Sequence, residues 1–234
     1  EARVAEPLGL RMAHGPLPLT LMRLLLVAAE ASHACAVEAA AVCAMLTVKE
    51  PWLPTTNRER LQNCKQSFAV YEGDVVTLLN VFQQYETYCR DDPEWAKRHL
   101  LDRNVLDRAA RVRRQLQQYM DLLQLPMESC GHEVTRLQRA ICASLFINAA
   151  RRLPNGTYRL CRPINEERAP HVRFRLHPAS VLAQVDGHAP ADFVVFVEAG
   201  GHGDMASLGH NTRVQPEWLT ELAPHYFKYV AAGA

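Results

Sequence analysis

The stretch Gly73-Asp74-Val75-Val76-Thr77-Leu78-Leu79-Asn80-Val81 places a glycine and a carboxylate directly before a run of apolar residues. Aspartate is favoured at helix N-termini because its side chain accepts hydrogen bonds from the unpaired backbone donors there. Apolar residues then recur at spacings of three and four, the period of a helix with one buried face: Leu78, Val81, Phe82 and Tyr85. The stretch therefore predicts a helix that Asp74 caps and that ends near Asp91-Asp92-Pro93.

The same helical period continues on both sides of this stretch. Upstream, apolar residues at helical spacing predict two packed helices within residues 21–48, and Pro51 and Pro54 break the second one. Downstream, the pattern predicts a long helix from about Val105 that Pro126 stops, and a further helix over 137–145. We therefore expect the chain to be helical to about residue 150.

Beyond about Arg151 the pattern changes to that of β-structure. Prolines and glycines separate short runs, of which 171–176 alternates between polar and apolar residues and 193–197 is continuously apolar. Pro216 is placed as the early proline of a last helix. The order predicts an α+β protein of two domains, an N-terminal all-α helical bundle followed by a small antiparallel β-barrel.

Composition leaves the partner open. Lys and Arg total 26 against 25 for Asp and Glu, so affinity for nucleic acid depends on how the charges are distributed. The longest apolar stretch, 17–29, is interrupted by Arg23 and is shorter than the roughly 20 residues that span a bilayer, which predicts no membrane segment. Glu1 is not an initiator methionine and no signal peptide follows it, so we expect a fragment or processed product of a longer chain.

The cysteines and histidines do not predict a metal site. The seven cysteines are odd in number and lack C-x-x-C pairs, which favours reduced thiols. Cys130, His132 and Glu133 lie close together, as do His202 and Asp204, but no fourth ligand stands at a usable spacing. We predict no metal.

Several motifs resemble one protein family. Residues 73–81 are similar to the G-D-H-x-T-L-L-N-V signature that follows the two RecA-like domains in DEAH-box RNA helicases. Further stretches that resemble the family follow in its order: 8–13, 44–48, 109–116, 144–150, 177–182, 193–198 and 216–224. The resemblance implies a remnant of a winged-helix domain over 1–18, a ratchet-like helicase-associated helical bundle over 19–136 and an OB-type domain over 137–234.

The resemblance implies an ATP-driven motor that this segment does not itself contain. Neither G-x-x-x-x-G-K-[ST] nor Asp-Glu-x-His, the runs that hold phosphates and magnesium, occurs in the sequence. We expect the segment to bind no cofactor and to be inactive alone. The implied parent chain is an ATP hydrolase that uses ATP and Mg²⁺ to remodel ribonucleoprotein during RNA processing.

Two groups of basic residues are candidates for RNA contact. Arg108, Arg111 and Arg114 share one face of the long helix, which suits regularly spaced phosphates; a solvated face supported by ion pairs explains them equally well. In the barrel, OB-type domains combine a basic groove with stacking side chains. The resemblance points first to Arg162 and to His177 of the His-Pro-x-Ser motif, then to Ser180, Arg159 and Arg175.

Other side chains favour a structural reading. Arg173 and Arg175 also fit the outward face of a half-buried strand. The aromatic residues stand at inward positions of their elements and are predicted to pack in the core: Trp95, Tyr119, Phe146, Tyr158, Phe174, Phe193, Phe196 and Trp218.

Departures from the family pattern leave two functions open. Val75 replaces the usual His, Asn104-Val105 replaces Arg-Ser, and residues 205–210 lack the usual Lys and Tyr-x-Arg. The first function is a helicase accessory module that binds single-stranded RNA and closes the RNA channel over an absent RecA-like motor. The second is a non-catalytic scaffold for ribonucleoprotein assembly that kept the fold.

The resemblance also implies partners and a compartment. Expected partners are single-stranded RNA or ribonucleoprotein, a RecA-like helicase core and a protein activator, and no membrane. The nucleus is the first expectation for its location, with the cytoplasm and the mitochondrion as alternatives.

Overall fold

The structure is a computed structural model that describes residues 8–161, 172–183, 190–201 and 205–227. The chain divides into two compact units. The helical unit comprises the residues through Ser67 together with Leu78–Ala140, and the barrel unit comprises Phe68–Thr77 together with the residues from Ile141 onward. The two-domain α+β class is confirmed, and the boundaries drawn at residues 18 and 136 stay predictions.

Helices follow one another through the first part of the chain, as the apolar period predicts. They are α1 (Leu8–Ala13), α2 (Leu19–Ala28), α3 (Ala36–Thr47), α4 (Arg58–Phe68), α5 (Asp74–Tyr88), α6 (Trp95–Arg98), α7 (Arg103–Leu122) and α8 (Val134–Leu145).

Small side chains on α3 bring the helices of the core close together. Ala39, Ala40 and Ala44 are fully buried, and α3 packs against both α2 and α7. Alanine has little side-chain entropy to lose and leaves room for larger neighbours. Met22 and Leu25 of α2, both inaccessible to solvent, fill part of that room.

The long helix α7 is amphipathic and has a side-chain cap. The Asp102 carboxylate accepts a hydrogen bond of 2.9 Å from the Asn104 amide, which satisfies one of the unpaired donors of the first turn. The buried face consists of Leu106, Ala109, Leu116 and Met120. The helix ends at Leu122, ahead of Pro126, as predicted.

The strands close into a barrel in the order β1-β2-β3-β5-β4. Their bounds are β1 Ala149–Arg152, β2 Tyr158–Leu160, β3 Arg173–Leu176, β4 Phe193–Gly200 and β5 Met205–Arg213, with α9 (Pro216–Leu222) following them. The pairing of β3 with β5 is parallel, whereas the other pairings are antiparallel. The predicted antiparallel barrel is thus confirmed with one parallel pair, which arises because the connection from β3 to β5 runs through β4.

Alternate side chains of the strands fill the barrel. The core includes Ala150, Tyr158, Phe174, Val194 and Leu208, all less than a tenth exposed. The Tyr158 hydroxyl donates a 2.7 Å hydrogen bond to the Ala191 carbonyl, so its polar end is satisfied inside the protein. Most of the aromatic residues expected in the core are buried; Tyr119, Phe193 and Trp218 are half-buried.

The segment before α5 extends the barrel unit. The Arg213 amide donates a 2.9 Å hydrogen bond to the Glu72 carbonyl, and Gly73 forms a β-bridge with Thr212. Gly73 has φ +117, and a Cβ there would lie 2.4 Å from the Asn211 carbonyl oxygen. Only glycine combines that backbone conformation with so close an approach.

Asp74 uses its carboxylate differently from the predicted cap. Oδ1 accepts hydrogen bonds from the Val181 amide at 2.7 Å and from the Ser180 hydroxyl at 3.0 Å. Oδ2 accepts from the Asn211 amide at 2.8 Å and from its side-chain Nδ2 at 3.3 Å. Two oxygens with four donors are saturated, so Asp74 opens α5 but holds two separate segments of the barrel unit rather than capping the helix.

Candidate nucleic-acid interface

A row of arginines crosses the outer face of the barrel. Arg151 of β1 lies directly opposite Arg159 of β2. Tyr158 is paired with Phe174, and continuing that antiparallel register places Arg173 of β3 opposite Arg159. Because Tyr158 and Phe174 point into the core, their neighbours point outward. Arg151, Arg159 and Arg173 therefore form a row across three adjacent strands, which we call the arginine row.

The arginine row concentrates positive charge. Neighbouring strands lie about 4.8 Å apart, and like charges placed opposite one another destabilise a sheet. Arg151 and Arg173 are exposed and Arg159 is half-buried. Within the described ranges, no carboxylate pairs with any of the three. An arrangement that costs stability and is not neutralised within the described chain suits an external anion.

The thiol of Cys161 lies in the field of this row. Burial raises the pKa of Cys161 to about 11, while Arg151 and Arg159 act on it in the opposite direction. Burial therefore dominates, and the thiol stays protonated near neutral pH. The cationic character of this face comes from guanidinium groups, which do not lose their charge at any physiological pH.

His177 lies at the end of β3 on an exposed turn. Its backbone amide donates to the Leu208 carbonyl at 2.9 Å, and its Nδ1 accepts from the Ala179 amide at 3.1 Å. In the neutral ring this hydrogen bond leaves the proton on Nε2. The imidazole is thus oriented by its own turn, and its exposed edge can donate to a phosphate or a base.

Ser180 follows that turn in the chain and is buried. It is only 3 % exposed, and its hydroxyl donates to Asp74 and accepts from the Leu182 amide. These contacts assign Ser180 to the support of the His177 turn. Direct RNA contact by Ser180 remains an untested prediction, and burial argues for an indirect role.

The remaining barrel candidates lie in different places. Arg175 is exposed, two residues beyond Arg173 on the same face of β3, and it lines a pocket at one end of the barrel. Arg162 lies outside the described residues. In β5, His210 lies 3.7 Å from the exposed Glu198 carboxylate, which adds negative charge to a region where the family pattern expected basic residues.

The helical candidates lie on the same helix as two ion-paired arginines. Arg108, Arg111 and Arg114 of α7 are exposed, and no ion pair joins them to a carboxylate in the described part of the chain. By contrast, Arg103 pairs with Asp107 at 3.8 Å and Arg113 pairs with Glu86 at 2.8 Å. The ion-paired reading therefore holds for Arg103 and Arg113, and RNA contact by the other three stays a prediction.

Two other kinds of site were sought among the described residues. No cluster of His, Cys, Asp or Glu side chains there could hold a metal ion. None of the described helices combines the length and the apolar character needed to cross a membrane.

Comparison with known proteins bears on both units. Residues 20–78 match the family model of the helicase-associated domain (HA2), ratchet-like. Residues 137–226 match the family model of the oligonucleotide/oligosaccharide-binding (OB) fold. The two matches occur in the order in which the helical and barrel units follow one another.

Similar full-length proteins carry both regions. The chain is 30% identical to the probable ATP-dependent RNA helicase DHX35 of Homo sapiens over 229 residues, which cover 97% of this chain and 31% of that protein. It is 32% identical over 229 residues to the pre-mRNA-splicing factor ATP-dependent RNA helicase prp22 of Schizosaccharomyces pombe. That match covers 97% of this chain and 18% of the prp22 protein. These relatives and the two family models support a C-terminal segment of a DEAH-box RNA helicase.

The chain covers a third relative to nearly the same extent as it covers DHX35. The pre-mRNA-splicing factor ATP-dependent RNA helicase DEAH10 of Arabidopsis thaliana is 26% identical over 242 residues, with 97% of this chain and 32% of that helicase covered. The chain thus spans about a third or less of the length of these curated helicases.

Sequence reasoning did not single out Arg151, and it favoured a structural reading for Arg173. Both belong to the arginine row only because of strand register. A local signal was present for the first pairing, since Asn155-Gly156 is a typical turn pair between two strands. The turn closes with a 2.9 Å hydrogen bond from the Gly156 amide to the Leu153 carbonyl, and that turn sets Arg151 opposite Arg159.

Proposed function

We propose that this chain is an RNA-binding accessory module of an ATP-dependent RNA helicase. The arginine row carries the proposal, because it presents fixed positive charge on the strand face that OB-type domains use for oligonucleotides. Arg175 and His177 lie further along or at the end of β3 and extend this face. Single-stranded RNA contacts them through its phosphates, so sequence preference is weak.

In this proposal the helical unit forms part of the wall of an RNA channel. Its contact residues are Arg108, Arg111 and Arg114, which lie along one exposed stretch of α7. The channel is closed over a RecA-like motor, which binds ATP and Mg²⁺ and is the first protein partner of the module. The similarity to splicing helicases supports work on ribonucleoprotein in the nucleus, and a protein activator is a further partner.

The deciding experiment measures RNA binding by the purified chain. Fluorescence anisotropy with a labelled single strand and with the matching duplex should show tighter binding of the single strand. The affinity should fall as salt rises, with a log–log slope of about −0.7 for each phosphate contacted. Lack of salt-dependent binding to the single strand would reject the proposal.

A second measurement separates module from motor. ATP hydrolysis by the purified chain should stay at background with or without RNA, because the sequence has no phosphate-binding loop and no magnesium carboxylate motif. RNA-stimulated turnover by homogeneous protein would show that the segment contains a catalytic centre of its own.

The scaffold function has one observation in its favour. In β5, where the family pattern expects basic residues, His210 lies 3.7 Å from the exposed Glu198 carboxylate, so this surface is less basic than the resemblance implies. A scaffold that retains the fold and binds protein in place of RNA would give no anisotropy change with RNA. It would instead assemble with ribonucleoprotein proteins in pull-downs from RNase-treated extracts.

A further inference from the structure

A pocket opens at the end of the barrel next to the turn between β1 and β2. Its volume is about 490 Å³, within the range of about 300–1,000 Å³ that is usual for small-molecule sites. Tyr158, Leu176 and Leu182 form an apolar surface, and Arg152 and Arg175 also line the pocket. Mouths of β-barrels are frequent ligand sites.

Arg152 is the unusual residue of this pocket. By register it lies opposite Tyr158 and two residues from Ala150, so it is on the inner face of the barrel, where apolar side chains are the rule. It is half-buried, and its Nη2 lies 3.8 Å from the point that a Cβ on Gly156 would occupy. No ion pair links it to a carboxylate among the described residues.

The charge balance at the pocket is positive. Burial raises the pKa of the Tyr158 hydroxyl, Arg152 and Arg213 lower it, and Asp192 raises it. Two cations therefore act on this phenol against one carboxylate, and Arg175 joins Arg152 as the second guanidinium of the pocket lining. A ligand that binds here gains most if it is an anion.

The side-chain amide of Asn155, which also lines the pocket, is oriented to donate hydrogen bonds. Oδ1 of Asn155 accepts hydrogen bonds from the Thr157 hydroxyl at 2.7 Å and from the Thr157 amide at 3.1 Å. With its oxygen engaged, Asn155 offers the two N–H groups of its amide. The pocket thus combines donors with an apolar surface, which matches a ligand that carries a phosphate, carbonyl acceptors and a flat ring.

We propose that this pocket binds a single nucleotide of the RNA strand, with its phosphate on Arg152 and Arg175 and its base against Leu176 and Leu182. The proposal rests on the RNA-binding function proposed above and names a subsite for it. Arg175 lies two residues from Arg173, so a strand lying on the arginine row reaches the pocket along β3. A nucleotide can enter only if it is unpaired, which favours single strands over duplexes.

The test compares two probes on the whole chain. Uridine monophosphate reports the pocket alone and is followed by isothermal titration, with uridine and inorganic phosphate as partial ligands. A short oligouridylate reports the pocket and the arginine row together and is followed by anisotropy. The monophosphate should bind more tightly than either partial ligand, because phosphate and base contacts both contribute.

Two variants test the pocket, one by filling it and one by removing a positive charge from it. Ala183 is exposed and lines the pocket, so Ala183→Trp fills it without touching the core. Arg152→Gln removes the inner guanidinium. Each should lower the monophosphate affinity about tenfold or more and the oligouridylate affinity by a smaller factor, since the row still holds the strand. Ala199→Trp, at an exposed alanine of β4 outside the pocket lining, is the matched control and should change neither affinity.

The outcomes separate this inference from the proposed function. Normal oligouridylate binding with no loss of either affinity in Ala183→Trp and Arg152→Gln would overturn the pocket and leave the arginine row standing. Monophosphate binding that these variants abolish, without any binding of oligouridylate, would make this a free-nucleotide site and overturn the strand part together with the proposed RNA function. Binding of neither probe to the wild type would overturn both.

Discussion

The arginines of the two units have different surroundings. In the helical unit several are paired with nearby carboxylates: Arg98 with Asp92, Arg103 with Asp107, Arg113 with Glu86 and Arg136 with Glu133. In the described part of the barrel unit, by contrast, the arginine row has no carboxylate partners, and its members lie opposite one another. Among the described residues, the same side chain is paired with a carboxylate in one unit and lies beside like charges in the other.

This difference shows why charge counting along the sequence is a weak guide to a binding face. The run from Lys97 to Arg114 is the more basic stretch, yet ion pairs occupy part of it and contribute about 0–1 kcal/mol each at a surface. The arginines of the barrel are scattered along the chain and gather only through strand register. Strand register, not density along the chain, brings the second set together.

The largest expected effect is a loss of stability when a carboxylate that accepts backbone hydrogen bonds is removed from either unit. Asp74→Ala should lower the free energy of unfolding of the barrel unit by about 3 kcal/mol or more, because the Val181 and Asn211 amides lose their acceptor in a largely buried place. Asp102→Ala, which removes the α7 cap, should cost the helical unit only about 1 kcal/mol. Segment-resolved hydrogen exchange together with urea unfolding measures the loss of unfolding free energy in each unit. Equal losses in the two variants would contradict the expected difference between the units.

The next effect concerns the arginine row. Changing Arg151, Arg159 and Arg173 together to Gln should weaken binding of single-stranded RNA roughly 10–100-fold near physiological salt and make the salt slope shallower by about 2. Anisotropy titrations at several salt concentrations measure both quantities. Arg98→Gln, which breaks an exposed ion pair in the helical unit, is the control and should leave RNA affinity unchanged.

A smaller loss is expected on the helical side. Replacing Arg108, Arg111 and Arg114 with Gln should weaken RNA binding by the isolated chain only about 2–5-fold, since these exposed side chains hold phosphates without a partner on an adjacent strand. The same titrations compare the two triple variants directly. If the helical variant loses more affinity than the barrel variant, the ranking of the two units is wrong.

The smallest effect appears only at alkaline pH. Burial and a hydrogen bond to Asp107 raise the pKa of Tyr85 above its usual value of 10.0. The folded state therefore prefers the neutral phenol, and this contribution to stability is present below pH 10 and lost as the pH rises further. Urea unfolding should show a decline above that pH that is reduced in Tyr85→Phe; an identical decline would assign the effect to other groups.

Local patterns predicted the helical unit well. The buried residues of α7 and the stop before Pro126 follow from spacing along one segment, and the OB-type barrel followed from resemblance. The role of Asp74 could not be read in the same way. Its sequence context indicates a cap, but its partners at Val181 and Asn211 lie 107 and 137 residues away. A free carboxylate and a saturated one look alike in sequence.

The candidate site was predictable only in part. Arg159 and Arg175 were identified because the family resemblance directs attention to these strands, and the structure places both on the outer face of the barrel. Arg151 and the inward Arg152 were not identified, because two adjacent arginines look like one basic patch in the sequence. Only the strand register set by the turn at Asn155-Gly156 shows that they lie on opposite faces of the barrel wall. Ser180 was chosen from its motif, yet burial makes it a support.

The saturated carboxylate of Asp74 also bears on how the chain matures on the ribosome. Asp74 is synthesised 137 residues before Asn211, an interval of roughly 7–27 s at 5–20 residues per second. Throughout that time β5 does not yet exist, and the carboxylate remains hydrated while helices such as α7 can already form. The barrel can close only when the last strand emerges, so a ribosome that stalls before Asn211 leaves a nascent chain in which the apolar faces of β1 to β4 stay uncovered, a state prone to aggregation.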